Sequence, residues 1–511
     1  LADRYVLAID AGSSGVRSLV TDLKGHPVSF SWQEVSSDTP EEVAPFGRQF
    51  DPVVLWDTVC QTVRKALAEA AVPADSIAAV SAASLRLGVV FLDKDGSELY
   101  IGPNNDVRAL MEGLTIDGEC GPDVCRITGH MPSFLFTPAR LRWFQAKHPD
   151  IYQRIATVLS INDWIVYRLC GERVGEVSGS CDMGLVDVSR ADWSAELVET
   201  LDLPRDVYPQ RVVAGTRVGA VTAAASAQTG LAAGTHVVAG GADTQSGLLG
   251  MGVKNSGQVG IVAGWSTPVQ MVTERPMVDL KGRLWSCCHI LPGKWVLESN
   301  SGESGRIYRW LYGITCDRAE SKELYDSLDR LAEGASPGAD GVLAFLGPKV
   351  MDMSHLGPSL GGFMFTITTS ITNVEKKHLV RAALENLCFA LKANCERLKE
   401  VSRLEVKDIS IGGGLAQSGL LMQMLADTLG IPVSVFDVAQ VSAIGAAMCA
   451  ATGAGAYHSL EQAMEAMRPR PATVEPDPQR SRDYAPLYAR WRTTYKWLED
   501  LNEKWYQQVE P

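Results

Sequence analysis

No stretch of this 511-residue chain stays apolar long enough to span a bilayer, and its opening, LADRYVLAID, enters a strand-like run without a basic leader or a small-residue cleavage site. A cytoplasmic location is the expectation. Positive charge is also in short supply: 47 Lys and Arg stand against 60 Asp and Glu, for a formal charge of −13. Such a balance opposes the phosphates of nucleic acids and anionic lipid surfaces, so neither nucleic acid nor membrane is expected as a partner. Small molecules are favoured. The eleven cysteines are odd in number and show no CxxC spacing, which argues against a disulfide framework or a zinc site. Cys287 and Cys288 are adjacent, and Cys120 and Cys125 lie in the loop-like stretch DGECGPDVC; both pairs read as buried or incidental thiols, with no metal assigned. The eight histidines are scattered without paired helical spacing and read as satisfied or surface residues. Also missing are GxxxxGK[ST], a strict GxGxxG, HExxH and GxSxG. P-loop NTPases, Rossmann dehydrogenases, zincins and α/β-hydrolases thereby lose support.

What remains is an ordinary globular composition, 46% hydrophobic and 21% charged, in a chain long enough for two large domains. Tyr5 to Asp10 reads as a buried strand, Gly12 to Gly15 break it, and Arg17 to Asp22 resume it as a hairpin. Between Pro52 and Ala70, Val54, Leu55, Val59, Val63 and Leu67 return at helical spacing, and Ile77 to Ala82 and Gly88 to Leu92 read as strands. Pro138 to Lys147 and Asp163 to Leu169 are helix-like. The alternation predicts an α/β class. At Thr235 the run HVVAGGADTQSGLLGMG repeats the opening logic of apolar strand, glycine break and acidic residue, so two domains are expected, 1–232 and 233–511. Later come the strand-like DISIGGG, helices at Leu420 to Leu429 and Ala443 to Ala451, and a docked, Trp-containing helix at Tyr484 to Trp505.

Three segments are candidates for chemistry. In Asp10-Ala11-Gly12-Ser13-Ser14-Gly15-Val16-Arg17, a turn between two strands exposes N–H groups able to cradle a phosphate, and Asp10 can hold a cation through water. A plain β-turn is the other reading. Gly240-Gly241-Ala242-Asp243-Thr244-Gln245 sets a carboxylate at a strand end, where it can accept a proton from an attacking hydroxyl or simply cap the next helix. Gly412-Gly413-Gly414-Leu415-Ala416-Gln417-Ser418 follows an apolar strand; three glycines let a flat base or ribose approach the backbone, although a linker accounts for one of them.

Taken in order, these segments resemble the FGGY carbohydrate kinases, members of the actin, Hsp70 and hexokinase fold group. SFLFTPARLRWFQAKHPDIY, INDWIVYRLCGE, RAALENLCFAL, GGGLAQSGLLMQMLADTLGIPV and AIGAAMCAA are similar to that family's further motifs, so the likeness runs over nearly the whole chain. The resemblance implies two RNase H-like domains closing over a cleft, the first mainly for sugar and the second mainly for nucleotide, with ATP and Mg²⁺ as cofactors. It assigns Asp243 as general base, Asp10 and Asp243 to the metal, and Gly12, Ser13, Ser14 and Arg17 to the phosphates. Gly264, Ser266 and Thr267 would form a second phosphate hairpin, with Trp265 as a departure from the family's Gly-Thr-Ser or Gly-Thr-Gly. Gly413, Gly414 and Gln417 would lie against adenosine. Arg140 stands where a Lys is usual, and Cys170 where Thr or Ser is usual.

The sugar loop departs too. Xylulose kinases carry Met-His-Gly, and glycerol kinases Arg-Glu, where this chain has Leu85-Arg86-Leu87-Gly88. Asn105, Asp106 and Arg108 resemble an Asn-Asp-x-Arg element of xylulose kinases, which makes Arg86, Asn105 and Asp106 the expected sugar contacts. SAASLRLGVVFLDKDGSELY looks closest to kinases of the autoinducer-2 signal. D-xylulose is the first expectation for substrate and an autoinducer-2-like or other polyol the second. A non-catalytic sugar-binding protein and an actin- or Hsp70-like ATPase are the rival classes, and a homodimer is an arrangement the resemblance allows.

Overall fold

The computed structural model describes residues 4–316, 323–355, 357, 359–367, 373–438 and 440–509. The chain divides into two units. The first comprises Leu1–Asn255, Val272–Leu297 and Gln440–Pro469, and the second Ser256–Met271, Glu298–Ala439 and Arg470–Pro511. The change of unit thus comes at Asn255 rather than near residue 232. Its cause is pairing: the strand His236–Ala242 runs parallel to Ile77–Ser84 and so belongs to the first unit's sheet.

That sheet has six strands, in the order Arg217–Ala220, His236–Ala242, Ile77–Ser84, Tyr5–Gly12, Gly15–Asp22 and Pro27–Glu34. The hairpin expected at the start is present, with Asp10 opposite Arg17 and Gly12 opposite Gly15. Ile77–Ser84 is parallel to both Tyr5–Gly12 and His236–Ala242, and its Ser84 lies level with Ala11 on one side and Ala242 on the other. Three parallel strands therefore end side by side. The helix Pro52–Ala70 starts on Asp51, which accepts from Val53 and Val54 N–H groups, and it buries Leu55, Val59 and Val63 in a core shared with Leu7, Ile9, Val80 and Trp164. Its Val54, one of the residues that suggested the helix, is exposed.

One expected loop is a helix. Cys120 and Cys125 lie in Leu110–Thr128, which holds Pro122 and is kinked at Cys120, where φ is −146°. The proline removes one backbone donor and breaks the local periodicity without ending the element. Cys125, Cys287 and Cys288 are buried, and among the described residues no cysteine forms a disulfide.

The helices Asp243–Met251 and Val441–Gly453 cross at very short range. A Cβ on Gly445 would sit 1.9 Å from the Ser246 carbonyl oxygen, and one on Gly250 2.2 Å from that of Val441. The small-residue helix seen in the sequence is thus required by a backbone-to-backbone contact. Gly445→Ala is expected to destabilise the first unit by roughly 1–3 kcal/mol, read as an earlier first transition in urea; an unshifted curve would refute the close contact.

In the second unit, Gln258–Val262 pairs antiparallel with Pro268–Thr273 and parallel with Asp408–Gly412, followed by Val433–Phe436 and Ala472–Val474. The long helices Lys376–Ser402 and Pro478–Val509 meet over Phe389, Tyr484, Tyr488 and Trp491. The last helix is therefore docked by its aromatic face. Among the described residues, no helix is long and apolar enough to cross a membrane.

Candidate active site

Because three parallel strands of the first unit end level with one another, the residues just beyond them are brought together. Open α/β sheets bind ligands at this edge. Asp10 is the third-last residue of its strand, Arg86 follows Ile77–Ser84 by two residues, and Asp243 directly follows His236–Ala242. Asp10 is buried and its Oδ2 lies 3.5 Å from Arg17 Nη1. Burial pushes its carboxyl above the usual range, against the pull of Arg17. Asp243 is the first residue of its helix, not the cap; Ala242 holds that place without a side-chain bond. The Asp243 Oδ1 accepts from the Thr244 N–H at 2.7 Å. Desolvation and then repulsion from Asp10 push its pKa up to about 7, while Arg86 pulls it down. A base tuned to neutral pH is suited to taking a proton from a hydroxyl.

Ser13 and Ser14 form the tip of the opening hairpin, Ser13 exposed and Ser14 half-buried, with the Ser14 carbonyl accepting from Val35 N–H at 3.2 Å. Gly15 is required by packing, since a Cβ there would fall 2.5 Å from Trp32 Nε1. Arg86 is buried, with its guanidinium 5.7 Å from the centre of the Trp285 ring and Nη1 3.9 Å from Asp182 Oδ1. Leu87 adopts a left-handed φ of 62°, and its carbonyl accepts from Arg140 Nη1 at 2.8 Å. The Arg at position 140 thus holds this loop, with further bonds to the Pro103 and Asp106 carbonyls.

Asp106 does not share the accessibility of Arg17 or Ser13. It is fully buried and accepts from Arg48 N–H, from Arg108 Nε on both oxygens, and from the Tyr100 hydroxyl. Its capacity is committed to shaping the loop. Asn105 beside it is exposed.

Sequence reasoning missed His130, Asp182 and Trp285. All are buried, and they come from three distant stretches. His130 Nδ1–H donates to the Thr128 carbonyl at 2.7 Å, which turns Nε2 toward Asp182 Oδ1 at 3.6 Å and Cys287 Sγ at 3.5 Å. Burial lowers the His130 pKa, but the bond to Asp182 and neighbouring negative groups outweigh it and leave the ring's pKa raised. The Trp285 indole N–H donates to the Met131 carbonyl at 2.7 Å, fixing its ring beside His130 and Phe136. No local motif signals such a cluster.

In the second unit the hairpin after Gln258–Val262 meets the glycine turn after Asp408–Gly412. Ala263 N–H donates to the Gly412 carbonyl at 2.8 Å, and Leu415 N–H to that of Ala263 at 3.4 Å. Gly264, Ser266, Gly413 and Gly414 are thereby brought together. Gly264, Trp265 and Ser266 are exposed and Thr267 is buried, so Trp265 leaves the hairpin open, its ring lying under Arg309 at 5.5 Å. Gln417 is exposed in the same turn. Gly413 has φ of 109°, and a Cβ there would meet the Ala263 carbonyl oxygen at 2.7 Å. Gly413→Ala is expected to displace this turn and raise the KM for ATP at least about tenfold, while sugar affinity is retained; an unchanged KM for ATP would show that the turn does not bear on nucleotide.

The parallel strands of the first unit deliver two carboxylates and a guanidinium to one edge of their sheet, and the second unit carries a glycine-turned hairpin of its own, features that a nucleotide-using enzyme can employ. Residues 5–250 match the N-terminal domain and residues 259–454 the C-terminal domain of the FGGY family of carbohydrate kinases; the chain belongs to that family. The autoinducer-2 kinase of Klebsiella pneumoniae is 31% identical over 510 residues, covering 96% of this chain and 93% of that protein. That of Escherichia coli K12 is 29% identical over 508 residues, covering 96% and 94%. Among solved structures, xylulose kinase from Rhodospirillum rubrum superposes with a TM-score of 0.84 at 25% identity over 98% of this chain and 100% of that one. Plasmodium falciparum glycerol kinase with ADP gives 0.82 at 17%, covering 96% and 98%, a likeness of fold alone. The protein is thus a two-domain α/β sugar kinase of the RNase H-like group, a phosphotransferase that uses ATP.

Proposed function

We propose that this kinase transfers the γ-phosphate of ATP to a hydroxyl of a short polyhydroxylated carbonyl compound, with Asp243 as the general base. The observation that carries the reading is Asp243 at a strand end, its pKa raised to about 7 beside Asp10 and Arg86. Phosphoryl transfer asks chiefly for positioning and charge neutralisation, and a base of this kind completes the set. Two carboxylates at the ends of the strands that flank Ile77–Ser84, both pushed toward protonation by burial, form a site that a divalent cation would relieve. Asp10 and Asp243 fit Mg²⁺ on that ground. The ion would supply neutralisation of phosphate charge. Gly12, Ser13, Ser14 and Arg17 would face the phosphates, as would Gly264, Ser266 and Thr267, while Gly413, Gly414 and Gln417 would lie along the adenosine.

On substrate, the relatives matching the full length are named autoinducer-2 kinases, whereas the 25%-identical structure is a xylulose kinase. Arg86 stands where xylulose kinases carry Met-His-Gly, and Leu87 departs from the Arg-Glu of autoinducer-2 kinases as well; with the full-length relatives beside Arg86, autoinducer-2 stands ahead of D-xylulose. Asp106 serves as a positioning group through Arg108 and Arg140. A coupled ADP-release screen over autoinducer-2, xylulose, ribulose and glycerol tests the reading. One of the first two is expected to be the best substrate and glycerol a poor one; glycerol as the preferred substrate, or ADP release indifferent to every sugar, would overturn it.

A further inference from the structure

Leu87 occupies the place of an acid that would have offered a sugar hydroxyl an acceptor beside Arg86. The structure supplies another carboxylate at the same arginine. Asp182 follows the short helix Val177–Cys181 and is 1% exposed. Its Oδ1 lies 3.9 Å from Arg86 Nη1 and 3.6 Å from His130 Nε2, and its Oδ2 is buried without a hydrogen-bond partner among the described residues. A buried carboxylate oxygen left without a donor is costly, and the natural relief is a donor arriving from outside the protein.

Position supports this. The helix before Asp182 is tied to the strand that ends at the proposed base, because the Ala242 N–H donates to Ser178 Oγ at 3.1 Å. Asp243 in turn feels the charge of both Arg86 and Asp182. Trp285 lies against both Arg86 and His130, giving the cluster a flat apolar wall. A cation and an anion about one hydroxyl width apart, over an aromatic face, suit a carbonyl oxygen next to a hydroxyl: Arg86 donates to the one and Asp182 accepts from the other.

We infer that Asp182 is a substrate-reading residue, pairing with Arg86 to recognise an α-hydroxycarbonyl group and replacing in space the acceptor that Leu87 lacks. The inference rests on the sugar-kinase reading above and deepens it. His130 is a positioning residue, holding the Asp182 carboxylate through its Oδ1.

Calorimetric binding in an Asp243→Asn background separates recognition from chemistry. Autoinducer-2 and D-xylulose are titrated into that protein and into the Asp243→Asn, Asp182→Asn double variant, with ATP titrated in parallel. The expected result is a loss of sugar affinity of about 10- to 100-fold with ATP affinity and thermal midpoint unchanged. In the single Asp182→Asn enzyme, KM for sugar should rise more than kcat falls. If the sugars bind but the double variant binds them equally well, the Asp182 assignment fails while the kinase reading stands. If neither sugar binds the parent, the substrate reading fails and the assignment with it. Parallel losses of sugar and ATP affinity with a lowered midpoint would reassign Asp182 to structure. His130, Asp182 and Cys287 also place their ligand atoms within 4.8 Å of one another; stoichiometric Zn²⁺ in the purified enzyme, lost in Cys287→Ser with selectivity intact, would likewise overturn the proposal in favour of a metal site.

Discussion

Asp243→Asn is expected to lower kcat for sugar phosphorylation by about 10²–10⁴-fold, the usual weight of a positioned base, while ATP still binds. The same change should make the protein more heat-stable above neutral pH. The wild-type carboxyl has a pKa raised from 3.8 to about 7, so keeping it ionised in the fold costs free energy that asparagine does not. Loss of activity and gain of stability in one variant distinguish a base held at a cost from a residue needed only for folding. Because the base works deprotonated, kcat/KM for sugar should fall on acidification, with its inflection at or below about pH 7, since a cation on Asp10 and Asp243 draws the carboxyl down. Activity within about tenfold of wild type in the variant would remove Asp243 from this role.

A second large effect concerns stability itself. The carboxyls of the first unit raised furthest above their unfolded values are Asp163 at about 8, Glu176 at about 7 and Asp243 at about 7, each raised first by burial. Asp163 and Glu176 are neighbours in a buried network, where Glu176 N–H donates to Asp163 and Ser160 Oγ–H donates to Asp163 Oδ2 at 2.6 Å. Raised folded pKa values mean that the native state binds more protons between the two values. This contribution is therefore fully present below the unfolded pKa near 4 and is lost as pH rises through 7 to 8. Each pKa unit corresponds to about 1.4 kcal/mol, so the loss sums to several kcal/mol. Melting of the first unit is expected to be lower by at least about 5 °C at pH 8.5 than at pH 6, and Asp163→Asn should flatten the dependence. A midpoint that stays level or rises over that range would show that these groups do not hold protons in the fold.

The parts legible in the sequence were those in which one local pattern decides the outcome. The helix Pro52–Ala70 carries its own apolar spacing and Asp51 cap, and the opening hairpin carries its own turn, so both were readable. The strand-end placement of Asp10 and Asp243 and the glycine turn at Gly413 were readable, because each lies where an apolar run meets glycine. Asp182, His130 and Trp285 were not, since what unites them is the register of separate segments and a hydrogen bond from one backbone carbonyl. At Asp106 the likeness to an Asn-Asp-x-Arg element suggests a sugar contact, and it does not disclose that Arg108, Arg48 and Tyr100 bond the carboxylate. The change of unit at Asn255 was hidden as well, because periodicity reports that a strand is buried but not which sheet receives it.

The return of residues 440–469 to the first unit sets an order on how the protein can be made. The helix Val441–Gly453 packs against Tyr5–Gly12, Ile77–Ser84, His236–Ala242 and Asp243–Met251. Until it leaves the ribosome, the nascent first unit has sheet surface and a glycine-lined helix face without their cover. About 185 residues separate Asn255 from that closing segment, or roughly 10–40 s of synthesis at ordinary rates. Through that interval the half that carries Asp10 and Asp243 is incomplete, and it is the half most in need of chaperone cover during translation.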